Sequence, residues 1–236
     1  MSRAKPRAVP ATDPVPQPRL VATTVHGRYF VRPPGHAAPR GWLVGFHGYG
    51  QNANDFLELM RPVPHAGEWL VASVQALHPF YNSRTSEVVA NWMTRQDREP
   101  AIADNVGYVD AVLADLEREF GPPDALVYAG FSQGVAMAYR AGLLCSRPAQ
   151  AIFAVAGDVP PEIRSGGVRR WPVVRIVVGT RESFYTAEVL DRDLKFLRSN
   201  GVDVRATTFE GGHEWSPEVI EALGELLAAV AATPRL

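Results

Sequence analysis

Short apolar runs recur along this chain at regular intervals, and between them come segments whose apolar residues repeat at helical spacing. Gly41 to Phe46, Glu68 to Ala76, Ala125 to Ala129, Ala151 to Ala156, Val173 to Val178 and Val202 to Phe209 read as strands. Most are continuously apolar rather than alternating, which marks strands buried on both faces. Helical spacing follows in turn. Asn52 or Asn54 caps a helix through Phe56, Leu57 and Met60. Pro100 opens a longer one through Ile102, Val106, Val109, Val112, Leu113 and Leu116, closed by Gly121-Pro122-Pro123. Val135 to Leu144, Thr186 to Ser199, and a final segment with Ile220, Leu223, Leu226, Leu227 and Val230 complete the set. Leu20 to Val31 alternates well enough for a strand or hairpin arm before Pro33-Pro34-Gly35, and residues 78 to 96 look irregular. Alternation of strands and helices from residue 41 onward predicts an α/β fold with a mostly parallel sheet and helices on both faces.

Residues 1–19 hold five prolines and several basic residues and read as a disordered tail, leaving 20–236 as one domain. The 236 residues are 46% hydrophobic and 21% charged, with a formal net charge of −1. That balance is globular and offers no electrostatic case for nucleic acid. No apolar run approaches the ~18 residues of a membrane span, and the N-terminus lacks an apolar signal core. A single cysteine, Cys145, allows no internal disulfide and suits a reducing, cytoplasmic setting. No His/Cys/carboxylate spacing suggests a metal site, and no cofactor motif is present. A small molecule is the expected partner, and the oligomeric state stays open, a homodimer among the options.

The chemistry is concentrated where strands end. Gly130-Phe131-Ser132-Gln133-Gly134 lies between an apolar strand and a helix, the setting in which a G-x-S-x-G sequence becomes a sharp turn presenting a serine. Side chains at Gly130 and Gly134 would collide with the neighbouring strand and helix. Three more unusual loops follow strand ends: His47-Gly48-Tyr49-Gly50, Gly179 to Glu182, and Gly211-Gly212-His213. A parallel sheet brings all four to one edge. Serine needs a base to become a nucleophile. Of six histidines, His213 has the placement for that role, while His47 is set to brace its loop. Glu182 stands where a loop carboxylate can orient His213, with Asp158 the alternative. Asp191 lies on the order of 10 Å along a helix and is a poor rival. The backbone N–H groups of Tyr49 and Gln133 are the candidate oxyanion donors. Trp92, Phe184, Tyr185 and Trp215, in or beside these loops, are the candidate lining of an apolar acyl pocket.

These motifs, with Gly211-Gly212-His213-Glu214-Trp215, resemble the phospholipase/carboxylesterase family of α/β-hydrolases over about residues 40 to 230. The resemblance implies a single-domain α/β-hydrolase fold without a large lid. It also implies Ser132 as nucleophile, His213 as base, and Tyr49 and Gln133 as backbone donors. The expected reaction is hydrolysis of a carboxylic ester or thioester of small to medium acyl chain. A catalytically silent scaffold and a serine peptidase are the alternatives. The sequence departs from the family pattern in two places. Glu182 stands where an aspartate is usual, and Val135 where relatives often have a third glycine.

Overall fold

The computed structural model describes residues 16–35, 38–167 and 170–232. Seven strands form one sheet: β1 (Tyr29–Arg32), β2 (Trp42–Phe46), β3 (Leu70–Val74), β6 (Leu126–Phe131), β7 (Ala151–Val155), β8 (Val173–Gly179) and β9 (Val204–Phe209). Two further strands, β4 (His78–Tyr81) and β5 (Val88–Asn91), pair as a separate antiparallel hairpin. The strand order is β1-β3-β2-β6-β7-β8-β9. Only β1 runs antiparallel within it, against β3. Between the strands lie α1 (Ala53–Met60), α2 (Arg98–Phe120), α3 (Gln133–Leu144), a short α4 (Pro161–Ser165), α5 (Ala187–Ser199) and α6 (Pro217–Ala231).

Every residue of β2, β3, β6 and β7 is buried, which is why these segments are continuously apolar. Their side chains divide by the two-residue period of the pleat. Trp42, Val44 and Phe46 of β2 join Leu126 and Tyr128 of β6 in one cluster, with Val109 and Leu113 of α2, Tyr139 of α3 and Leu197 of α5. Leu43, Val127, Ala129 and Phe131 point the other way, onto Phe56 and Met60 of α1 and Val219, Leu223 and Leu227 of α6. Each large apolar side chain withdrawn from water in these two layers contributes about 2 kcal/mol before conformational entropy is set against it.

Departures from expectation occur where contacts are non-local. The strand expected over Leu20 to Val31 is confined to β1. Leu20, Val21 and Val25 are exposed, and the register against β3 runs only from Tyr29↔Val74 to Arg32↔Val71. The stretch read as irregular contains the β4–β5 hairpin, whose strands are short; β4 is mostly exposed, whereas Val89, Ala90 and Asn91 of β5 are buried. Of the expected proline-rich tail, residues 1–15 lie outside the described residues. Residues 16–19 are exposed and belong to no helix or strand. No helix of the described residues is long and apolar enough to cross a membrane.

Candidate active site

The loops after β2, β6, β8 and β9 all leave carboxyl ends of parallel strands, so the sheet itself gathers Tyr49, Ser132, Glu182 and His213 at one edge. The β6–α3 turn is the tightest of them. Ser132 has φ 53° and ψ −120°, a conformation that non-glycine residues rarely adopt. Close approach on both sides holds it there. A Cβ at Gly130 would lie 2.4 Å from the Gly134 carbonyl oxygen, and one at Gly134 would lie 2.0 Å from that of Phe46. Both obstacles are backbone, so no rotamer change relieves them. Val135 is fully buried in the core.

Two backbone amides near Ser132 are free. Neither the Tyr49 nor the Gln133 N–H donates to a protein acceptor among the described residues. Gln133 is the first residue of α3, so its N–H belongs to the unpaired, electropositive end of that helix.

Glu182 and His213 form a direct pair. His213 Nδ1 lies 2.6 Å from Glu182 Oε2, and the carboxylate side chain is only 2% exposed. The other oxygen, Oε1, accepts from Phe184 N–H at 2.7 Å and Tyr185 N–H at 3.4 Å. Burial works to raise the Glu182 pKa. The Phe184 amide and the imidazole outweigh it and hold the carboxyl below its ordinary range. A carboxylate there keeps the proton on Nδ1 and leaves Nε2 as the basic nitrogen. The pair needs the absence of a side chain at Gly179, where a Cβ would lie 2.5 Å from the carbonyl oxygens of both Gly211 and Gly212. The imidazole packs between Phe131, adjacent to Ser132, and Phe184, with ring centroids 4.9 Å and 5.1 Å away. Among the described residues, Ser132 Oγ makes no hydrogen bond to His213. Such bonds are often long without substrate and shorten when it binds. Asp158 lies elsewhere: its carboxylate is 3.5 Å from Arg192, on the wall of the cavity beside Ser132.

His47 is a bracing residue. It is fully buried, with Nδ1 donating to Gly48 O at 2.7 Å and Nε2 accepting from Ala76 N–H at 3.1 Å. Burial lowers its pKa to about 4 against a smaller opposing effect from the Gly48 carbonyl, so the ring is neutral. Trp92 Nε1 donates to His47 O at 2.8 Å, and the two rings lie 5.3 Å apart.

A cavity of about 880 Å³ opens beside Ser132, with Gln133, Met93, Phe184, Tyr185 and Val189 in its wall. Phe184 and Tyr185 therefore stand where an acyl pocket was expected. Trp92 and Trp215 do not. Trp92 is 0% exposed and packs edge-on against Phe46. Trp215 packs on Phe56, Phe131 and Phe153 at the sheet edge. Both are core anchors of the loops they occupy, a role that an aromatic residue in a loop does not advertise in sequence.

Sequence reasoning also overlooked the side chain of Gln133. Its Oε1 accepts from Trp92 N–H at 3.0 Å. Its Nε2 donates to Asn91 Oδ1 at 2.8 Å and Met93 O at 2.9 Å. Asn105 grips the same segment from α2, donating to Trp92 O at 2.9 Å. A buried Asn on the apolar face of a helix was the available signal for this staple.

The model of the phospholipase/carboxylesterase family matches residues 31–231. Among solved structures, the esterase PE8 is 23% identical, covering 87% of this chain and 100% of its own, with a TM-score of 0.72. Acyl-protein thioesterase 2 of Zea mays is 16% identical over 88% of this chain and 100% of its own, with a TM-score of 0.67. The Bacillus cereus carboxylesterase is 17% identical over 86% and 94%, with a TM-score of 0.66. At these identities the likeness is one of fold. No curated protein matches the chain.

Proposed function

Since the chain belongs to the phospholipase/carboxylesterase family, whose members are hydrolases acting on ester bonds, we propose that it cleaves a carboxylic ester or thioester of small to medium acyl chain through an acyl-Ser132 intermediate. The observation that carries this reading is the part-buried Glu182–His213 pair at 2.6 Å, on the same sheet edge as a serine held at positive φ.

In this mechanism His213 Nε2 takes the Ser132 Oγ proton as the oxygen attacks the substrate carbonyl. Glu182 holds the Nδ1 proton and stabilises the imidazolium. The carbonyl oxygen becomes an oxyanion that accepts from Tyr49 N–H and Gln133 N–H, each donor lowering the barrier by about 3 kcal/mol. The imidazolium returns its proton to the departing alcohol or thiol. Water, deprotonated by His213 Nε2, then attacks the acyl-serine; as the bond from the acyl carbon to Ser132 Oγ breaks, the imidazolium returns that proton to Oγ and the acid product leaves.

The test is reaction with a fluorophosphonate probe and turnover of 4-nitrophenyl esters and acyl thioesters of increasing chain length. Labelling and turnover are expected in the native chain. Both are expected to vanish in Ser132→Ala while circular dichroism stays unchanged. Full hydrolysis by that variant, or a native chain that neither labels nor turns over any ester, would refute the reading. The second result would leave a silent scaffold.

A further inference from the structure

The wall of the cavity beside Ser132 holds four arginines, Arg95, Arg98, Arg140 and Arg192, with Asp158 the acid among its lining residues. The carboxylates available are fewer than the guanidiniums. Glu162 serves two of them. Its Oε1 takes Arg140 through Nε at 2.8 Å and Nη2 at 2.7 Å, and its Oε2 takes Arg98 at 2.9 Å. Asp193 also serves two, with Arg164 and Arg192 both 3.1 Å from Oδ1. Its Oδ2 is occupied by Val159 N–H at 2.8 Å and the Tyr185 hydroxyl at 3.4 Å. Asp158 is a second, longer partner of Arg192 at 3.5 Å. Five guanidiniums therefore face three carboxylates in the wall and the layer behind it.

The excess is built in. Arg140 is 1% exposed and sits in a helix of otherwise apolar and small buried residues, so its charge cannot turn outward to water. Arg95, by contrast, is exposed and has no ion pair or hydrogen bond with any described residue. Its position is nonetheless tied to the nucleophile. Gln133, next to Ser132, holds Asn91, Trp92 and Met93, and Arg95 follows two residues later, about 7 Å along the chain.

We propose that this cavity selects esters whose acyl part ends in a carboxylate, with Arg95 as the specificity-determining residue that receives it. The inference rests on the esterase reading above and names its substrate class. The planar guanidinium fork matches a carboxylate in two parallel hydrogen bonds, and Arg95 is the arginine whose fork is unoccupied. The paired arginines behind it supply a positive field that a neutral acyl chain does not use. A cavity of this size accommodates a small dicarboxylic half-ester with room for the leaving group.

The experiment compares mono-(4-nitrophenyl) glutarate with 4-nitrophenyl valerate, acyl chains of equal carbon count that differ in the terminal charge. The ratio of their kcat/KM values is measured for the native chain, Arg95→Gln and Arg95→Lys. A native ratio of roughly tenfold or more in favour of the glutarate is expected, falling as sodium chloride is raised. Arg95→Gln should bring the ratio down about tenfold, and Arg95→Lys should restore part of it. A native ratio at or below one, or a ratio that Arg95→Gln leaves unchanged, overturns the proposal. If valerate is still hydrolysed in a Ser132-dependent manner in either case, the esterase reading survives and charge selection alone is lost. If neither ester is hydrolysed, the charge proposal falls; the esterase reading falls with it only when the fluorophosphonate probe also leaves Ser132 unlabelled and no other ester or thioester is turned over.

Discussion

Acidification should unlock the loop that carries one of the two candidate oxyanion donors, and His47 sets where. Above pH 6.5 this ring is neutral in both the folded and the unfolded chain and stability does not depend on it. Its folded pKa is lowered to about 4, because burial disfavours the cation. As pH falls from about 6.5 towards 4, the unfolded chain takes up the proton first and the folded state loses ground. The gap of about 2.5 units corresponds to ~3 kcal/mol once pH is below 4, and ~2 kcal/mol is already lost by pH 5. The geometry gives the same sign: a proton on Nε2 would point at the Ala76 N–H it now accepts from, 3.1 Å away. His47→Gln isolates the effect, because a glutamine can donate to Gly48 O and accept from Ala76 N–H without titrating. Urea unfolding followed by far-ultraviolet circular dichroism, at pH 8 and at pH 5, would measure it in both proteins. The stability difference between native chain and variant should shift by ~2 kcal/mol in the variant's favour at pH 5. A difference that stays flat across that interval would refute the assignment of a buried neutral imidazole.

Two further outcomes follow from the site. Glu182→Gln leaves His213 without its negative partner and should lower kcat by about 10³–10⁴-fold with little change in KM; steady-state kinetics on a 4-nitrophenyl ester would show it, and a loss under tenfold would contradict it. Gly134→Ala places a methyl group 2.0 Å from the Phe46 carbonyl oxygen with only backbone to yield. It should cost more than about 4 kcal/mol, read as a large drop in melting temperature or loss of soluble protein, and a variant with native stability would show that the turn can relax.

What the sequence disclosed depended on how locally each feature is caused. Strands such as β2 and β7 are buried on both faces, so burial writes an unbroken apolar run that can be read without a partner. β1 becomes a strand only where β3 lies alongside it, and the β4–β5 hairpin consists of two four-residue strands, so neither leaves a periodic trace. Glu182 and His213 are 31 residues apart, yet they could be placed on one edge because each follows the end of a parallel strand. Trp92 shows the opposite limit: an aromatic in a loop can line a pocket or anchor a core, and only the neighbours Phe46 and His47 decide. The arginines of the cavity come from the segment before α2, from the first residue of α2, from α3 and from α5. No window of sequence holds them together, and the burial of Arg140 is set by the packing of α3.

The backbone at Ser132 has a consequence for how this protein can change. A serine at φ 53° holds on the order of 1–3 kcal/mol of conformational strain that glycine in the same place would release. Replacing the hydroxyl-bearing residue with glycine should therefore toughen the molecule against heat as it silences the chemistry. Selection for endurance and selection for turnover pull against each other at this single peptide unit, and lineages that no longer need catalysis have a downhill route open there.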